Sequence, residues 1–458
     1  MFQVKRHETL YSRTSRYLVM GLHDEGCFGK VAKCFDLDMA MMVAIKFQRE
    51  KENGLFQQEL AMLEAVRVLD SDKKNIVRFI EHFRFQDLHC LVFEMLDRSL
   101  FHQMVQRECM PLSLSEIRPL THQLLVTLEA LKSIGIIHTD IKLDNIMLVN
   151  HKDQPFKIKL IDFGLALPVS QVKVGMYMQN LKYRAPEVTL GLPLSEAVDM
   201  WGVGCIMTSL YFGTSLFPWD CAYNWIKTMV RLLGQPEDHL LAAGIYSYKY
   251  FIFDQDTGWR LRTPKEYEQA TGARPNVSEK YGRDLENAIK NFPEKENKLE
   301  HKDRMAFLDL LKCCLHFDAK RRISPSEALK QSYLTMVHMV DELETSSYAN
   351  TALELMTVSP LDNLDELLVD TVPNDDRAIK ESDCIYDYPN ISNSDIPIND
   401  NSLDPLVKSN SHDGVEDTSL PITSMNADDA KTCPDPGFQR IRKLFRRVME
   451  RGVSIFKG

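Results

Sequence analysis

The sequence predicts an α+β fold in two lobes, a small β-rich lobe followed by a larger helical one. Three observations carry this. Between Tyr17 and Phe93 the apolar residues fall in short β-branched and aromatic runs. After Glu94 they recur at helical spacing. Both stretches lie in a near-neutral body that gives way, at about residue 340, to a tail of different composition.

Residues 1–15 are polar and are expected to form a loose extension ahead of a lobe spanning 16–95. Strands are expected at Tyr17–Met20, Lys30–Phe35, Met42–Phe47 and Leu91–Phe93. The helical stretch among them runs over about Leu55–Leu69, where Leu60, Leu63, Val66 and Leu69 share a face. The helical lobe is expected over 96–340. Ser113 followed by Glu116 forms a capping box, each side chain reaching an orphan amide of the other residue. The stripe Ile117, Leu120, Leu124, Leu125, Leu128 and Leu131 follows it. Leu194–Trp225 is apolar enough for a buried helix. Residues from about 254 to 300 read as a polar, irregular insert, and Asp303–Lys312 and Ser326–Val340 as helical again.

The chain has 458 residues and a formal net charge of −10, which argues against general nucleic-acid binding. The charge is unevenly placed. Residues 341–436 hold about 22 acidic and about 4 basic residues, and 437–458 about 7 basic and about 1 acidic. With few aromatics and many Asp, Ser, Asn and Pro, 341–436 is expected to be a disordered acidic tail. Residues 437–458 are expected to form a basic amphipathic helix. The ten cysteines form no C-x-x-C pair and sit mostly in apolar stretches, as reduced thiols would. The N-terminus lacks the apolar core of a signal peptide, and no apolar run has the ~18–20 residues of a membrane span, so cytosol or nucleus is expected.

Five motifs carry chemistry. Asp24-Glu25-Gly26-Cys27-Phe28-Gly29-Lys30-Val31 lies between two strands, and its glycines let a hairpin backbone approach phosphates; alone, it also reads as an ordinary turn. Val43-Ala44-Ile45-Lys46 places a lysine in an apolar strand, where it needs partners. Nucleotide phosphates and the Glu59 carboxylate would serve. His138-Thr139-Asp140-Ile141-Lys142-Leu143-Asp144-Asn145 sits between apolar runs. Phosphoryl transfer needs a carboxylate to take a hydroxyl proton, a cation beside the transferring group and an oxygen ligand for a hard metal ion. Asp140, Lys142 and Asn145 answer to these, while His138 is expected to pack structurally. Asp162-Phe163-Gly164 supplies a second ligand, Asp162, for Mg²⁺ bridging the phosphates of ATP. Tyr183-Arg184-Ala185-Pro186-Glu187 closes the segment that begins there, and Asp199-Met200-Trp201-Gly202 follows. Glu187 and the distant Arg322 are expected to form a buried structural ion pair, and Asp199 is likewise assigned to the framework.

In this order and spacing the motifs match the signature set of protein kinases. The runs Cys90–Leu96, Gly191–Ala197 and Asp199–Trp201, with Tyr183–Glu187 and the insert before Asp303, resemble the homeodomain-interacting protein kinases over about residues 15–340. The resemblance implies a bilobal kinase fold, Ser/Thr kinase activity often directed at sites followed by proline, protein substrates such as transcription factors or co-regulators, a nuclear location and a monomeric kinase domain. Carried over by position, it makes Phe93 the gatekeeper and Glu94 and Leu96 backbone contacts to adenine. These complete an ATP-binding set of Gly26, Gly29, Val31, Ala44, Lys46, Glu59, Phe93, Glu94 and Leu96. It makes Tyr177 the activation-loop tyrosine, whose phosphate Arg184 could pair. The chain departs from the pattern at Asp24, in place of the first loop glycine, where a carboxylate would repel phosphate. It departs also at Thr139, where many kinases outside the related families carry arginine, at Leu143 and Asp144, and at Leu181 and Lys182.

Two readings of the whole stand beside each other: an active kinase, and a kinase-like scaffold without turnover. Lys46, Glu59, Asp140, Lys142, Asn145 and Asp162 are all present, which favours the enzyme. In the tail, Asp365–Val372 reads either as residual hydrophobicity or as a short strand for a sheet edge. Phe438, Ile441, Leu444, Phe445, Val448 and Met449 share one helical face opposite basic residues. That pattern suits a partner protein, an import receptor, an anionic membrane, or a return onto the acidic tail.

Overall fold

Alternation along the first 95 residues builds a sheet with two different faces. In the computed structural model, residues 4–26, 29–49, 53–218, 221–275, 284–290, 298–343 and 345–359 are described. Strands β1 (Thr9–Tyr11), β2 (Arg16–Gly26), β3 (Gly29–Asp36), β4 (Met41–Arg49), β5 (Phe79–Phe85) and β6 (Leu88–Glu94) form an antiparallel sheet in the order β1-β2-β3-β4-β6-β5. Because side chains alternate, Ala32, Cys34, Val43, Ile45, Phe47, Cys90 and Val92 pack together on one face with Leu10, Tyr17 and Val19. The register sets Val31 opposite Lys46 and Ala44 opposite Phe93, which puts these four on the other face. Helix α1 (Asn53–Val66) covers that second face and packs Phe56, Leu63 and Val66 into the main core.

The helical lobe follows the connection at residues 95–97. Its elements are β7 (Arg98–Ser99), α2 (Leu100–Gln106), α3 (Leu114–Ser133), β8 (Ile136–Ile137), β9 (Ile146–Asn150), β10 (Gln154–Leu160), β11 (Leu167–Pro168), α4 (Pro186–Leu190), α5 (Ala197–Phe212) and α6 (Ala222–Leu233). The Ser113–Glu116 capping box opens α3. Helix α5 is buried all round, with Trp201 stacked on Phe217 at 5.6 Å, as its uniformly apolar sequence requires.

Several expectations need correction. The N-terminal extension is not loose: β1 pairs with β2, and Val4 and Leu10 are buried because the open face of the sheet needs an apolar cover. The stretch 254–300 is not simply irregular. It contains a hairpin of β12 (Phe251–Asp254) and β13 (Gly258–Leu261) and the helices α9 (Pro264–Thr271) and α10 (Leu285–Lys290), after α7 (Asp238–Ala243) and α8 (Ser247–Tyr250). Tyr267 of α9 is anchored against Tyr223 and Tyr250. Helix α11 (Lys298–Cys314) follows. Ser326–Val340 is broken into α12 (Pro325–Leu329), α13 (Ser332–Thr335) and a 3-10 turn, with Met336 at φ 59° making the break. The tail does not begin at 341, since α14 (Ser347–Leu355) buries Ala349, Ala352 and Leu353 against Leu299, Met339 and Leu343. Most of the acidic tail, the 365–372 patch and the basic helix at 437–458 lie outside the described residues.

Candidate active site

The cleft between the lobes is built on the second face of the sheet. Lys46 projects from β4 two residues after Ala44, on the same side. Its Nζ lies 2.7 Å from Glu59 Oε1 on α1 and 2.9 Å from Asp162 Oδ1. Gln48, two residues further on, donates its amide to Glu59 as well. Burial works against the Lys46 charge, but the carboxylates of Asp162 and Glu59 outweigh it and hold the ammonium above the ordinary lysine range. Burial, with the Asp162 charge, pushes the Glu59 carboxyl up against the pull of Lys46, while Asp162 ends below its usual range because Lys46 overcomes its burial.

The motif between β8 and β9 forms a second cluster. Lys142 Nζ lies 2.6 Å from Asp140 Oδ2. Asn145 Nδ2 donates to Asp140 Oδ2 at 2.8 Å and to its carbonyl at 2.9 Å. Asp199, buried at the start of α5, accepts the N–H groups of His138 at 2.8 Å and Thr139 at 2.9 Å. Those bonds hold Thr139 at φ 65°, a conformation that a β-branched residue avoids without support. Its hydroxyl also donates to the Leu165 carbonyl at 2.8 Å. Burial raises the Asp199 carboxyl to about 6 despite the nearby His138 and the two amides. His138 bridges the two clusters: its Nε2 meets the Ile161 carbonyl at 3.1 Å, and its ring stands edge-on to Phe163 at 5.2 Å. Asp162 itself sits at φ 64°.

The structure thus gathers Lys46, Glu59, Asp162, Asp140, Lys142 and Asn145 along one cleft. Val31, Ala44 and Phe93 lie on the sheet face above it, and Glu94 and Leu96 at the connection. Gly26 and Gly29 pair across the β2–β3 hairpin at its mouth. Cys27, Phe28 and the side chain of Asp24 lie outside the described residues, and so does the repulsion expected of Asp24. Tyr177 is 79% exposed, with the Arg184 guanidinium 4.0 Å from its ring centre. Arg184 also donates to the Met178 and Gln179 carbonyls at 3.2 and 2.9 Å. Glu187 and Arg322 pair at 2.6 and 2.8 Å, fully buried.

A divalent ion suits this donor set. Asp162 offers a carboxylate, and Asn145, whose amide nitrogen is turned to Asp140, presents its oxygen the other way. Hard oxygens in small number, completed by substrate phosphates, are what Mg²⁺ takes. Among the described residues there is no cluster of three or more His, Cys, Asp or Glu that could hold a metal by itself. Sequence reasoning missed Gln48 and Lys159. A polar residue repeated at strand period beside Lys46, and a lysine enclosed by Ile158 and Leu160, were the available signals.

The protein kinase domain family matches residues 20–334, and the chain belongs to that family. Within it the chain is similar to the homeodomain-interacting protein kinases. It is 36% identical over 371 residues to homeodomain-interacting protein kinase 1 of Mus musculus, covering 78% of this chain and 30% of that protein. It is 37% identical over 354 residues to homeodomain-interacting protein kinase 2 of Mesocricetus auratus, covering 74% and 30%. It is 34% identical over 370 residues to homeodomain-interacting protein kinase 4 of Homo sapiens, covering 77% and 60%. The aligned part therefore spans between about a third and three-fifths of these curated relatives. Among the described residues no helix is long and apolar enough to cross a membrane.

Proposed function

We propose that the chain is an active serine/threonine kinase whose cleft takes ATP with Mg²⁺ and a protein hydroxyl. The observation that carries the reading is the complete set Lys46–Glu59–Asp162 and Asp140–Lys142–Asn145, in which Lys46 and Asp162 meet across 116 residues of sequence. Val31, Ala44 and Phe93 wall the adenine, the peptide groups of Glu94 and Leu96 hold its edge, and the backbone at Gly26 and Gly29 approaches the phosphates. Lys46, oriented by Glu59, neutralises phosphate charge. Mg²⁺, when bound by Asp162 and Asn145, supplies charge neutralisation on the phosphate oxygens. Asp140 accepts the proton of the incoming hydroxyl as its oxygen forms the bond to the γ-phosphorus. The bond to the bridging oxygen breaks and ADP leaves, with Lys142 beside the transferred group.

The similarity extends the proposal. Tyr177, exposed and backed by Arg184, is the activation-loop tyrosine and is phosphorylated by the kinase itself. Its phosphate adds about −1.5 to −2 charge beside that guanidinium. The substrates are proteins, with transcription factors or co-regulators the class that the relatives' names suggest, which fits a nuclear role in transcription or signalling. The test is transfer of labelled phosphate by the purified chain, with phosphotyrosine mapped at Tyr177. Asp140→Asn should lower the rate by about 10²–10⁴. Nucleotide binding without transfer in the wild type would leave a scaffold instead.

A further inference from the structure

Behind the lobe connection lies a buried cation that phosphoryl transfer does not use. The Lys159 side chain, on β10 three residues before Asp162, is 2% exposed. A lysine at such a site is costly unless it is paired. Its Nζ lies 2.6 Å from Glu94 Oε1 and 2.6 Å from Asp72 Oδ1. Glu94 is held from a further side: its Oε1 accepts the Arg78 N–H at 2.6 Å, and its own N–H donates to the Arg78 carbonyl at 3.1 Å. The loop carrying Asp72 is laced to β10, with Leu160 N–H on the Asn75 carbonyl at 2.8 Å and Val77 N–H on the Leu160 carbonyl at 3.0 Å. Three segments therefore meet at one ammonium: the strand that delivers Asp162, the loop after the helix that carries Glu59, and the residue that opens the lobe connection.

We infer that Lys159 is a positioning residue for the nucleotide. By fixing the Glu94 carboxylate it sets where the peptide groups of residues 94–96 stand, and it ties that position to the strand ending at Asp162. The inference rests on the proposed adenine contacts of Glu94 and Leu96. Lys159 acts on the adenine end and touches no reacting atom, so its loss should appear in KM for ATP and leave kcat nearly intact.

The experiment is steady-state kinetics of the full chain with ATP and with GTP, which carries an oxygen where ATP has its 6-amino group. Wild type should strongly prefer ATP, because a backbone carbonyl at Glu94 accepts from that amino group. Lys159→Met should raise KM for ATP about tenfold, hold kcat within about threefold and narrow the preference over GTP. Asp72→Asn removes a carboxylate that is 70% exposed and so keeps the fold; it should move KM the same way by about two- to threefold. Circular dichroism shows whether Lys159→Met folds, and if it does not, Asp72→Asn decides. Unchanged KM in the folded variants, with ATP still preferred, overturns the role of Lys159 while leaving the adenine reading standing. A wild type that uses GTP as readily as ATP overturns the adenine reading and the inference together.

Discussion

Two buried ion-pair networks in this chain are built to opposite ends. In the cleft, Lys46 faces Glu59 and Asp162, one cation between two carboxylates, and Asp162 retains 18% side-chain exposure. Under the helical lobe, Arg118 and Asp303 meet with no exposure at all. Asp303 accepts from Arg118 Nη2, from Tyr348 Oη at 2.6 Å and from His338 Nε2 at 2.9 Å, while Arg118 Nε donates to the Tyr333 carbonyl at 2.7 Å. The second network is closed by the fold except at Arg118 Nη1, which is buried with no hydrogen-bond partner among the described residues. The first sets two carboxylates against one cation and, in the proposed function, is completed by what enters the cleft: a metal ion at Asp162 and phosphates at Lys46. Similar residue types thus serve architecture in one place and, in the proposed function, binding in the other, and the difference lies in who supplies the remaining partners.

Breaking each network should separate activity from stability. Lys46→Met removes a charge made for phosphate, and phosphate transfer should fall by about 10²–10³. Its thermal midpoint should fall by less than that of Asp303→Asn, because Asp162 keeps 18% side-chain exposure and Glu59, buried, keeps the Gln48 amide. Asp303→Asn leaves a guanidinium unpaired in a dry site and should cost about 3–5 kcal/mol of stability, read from urea unfolding. At temperatures where that variant is folded its KM for ATP should match wild type. If Asp303→Asn abolished transfer while still folded, or if Lys46→Met unfolded the domain, the contrast between the networks would be wrong.

The closed network also sets an acid limit. Burial alone would raise the Asp303 carboxyl, but the Arg118 charge and the hydrogen bonds from His338 and Tyr348 outweigh it and hold it at about 2, below its ordinary 3.8. A depressed carboxyl contributes stability that is present above the ordinary value and is lost as pH falls toward the folded one. The advantage of wild type over Asp303→Asn should therefore shrink by about 2 kcal/mol between pH 4 and pH 2. An advantage constant across that window would remove Asp303 from the acid response.

The cleft was more legible in the sequence than the base of the helical lobe, for a physical reason. Lys46, Asp140, Asn145 and Asp162 lie in short runs whose chemistry needs fixed neighbours, so each run can be recognised locally. Glu187 closes such a run, whereas its partner Arg322 lies in none. Arg118 and Asp303 are 185 residues apart on helices whose spacing announces an apolar face and nothing more. The N-terminal strand hid for a related reason: Thr9–Tyr11 has only Leu10 facing inward, too little to register as periodicity, yet β2 offers it a ladder. Charge misled at the other end. Acidic residues beyond 341 matched a disordered composition, while Ala349, Ala352, Leu353 and Met356 formed a helical face short enough to be averaged away.

That helical face yields the smallest and most local test. Helix α14 reaches the Arg118–Asp303 network through the hydroxyl of Tyr348, and Ser359 beyond its end meets the buried His122 ring at 3.1 Å. Tyr348→Phe keeps the ring and removes one charge-assisted bond, so wild type should lose about 1–2 kcal/mol. In the background of Asp303→Asn the same substitution should cost markedly less, since the carboxylate that strengthened the bond is gone. A double-mutant cycle from urea midpoints measures that difference directly. Coupling would place residues 341–359 inside the folded kinase unit, beyond the matched 20–334. Additive effects would mean that α14 stands apart from the Arg118–Asp303 pair, and that the helical lobe closes that pair without it.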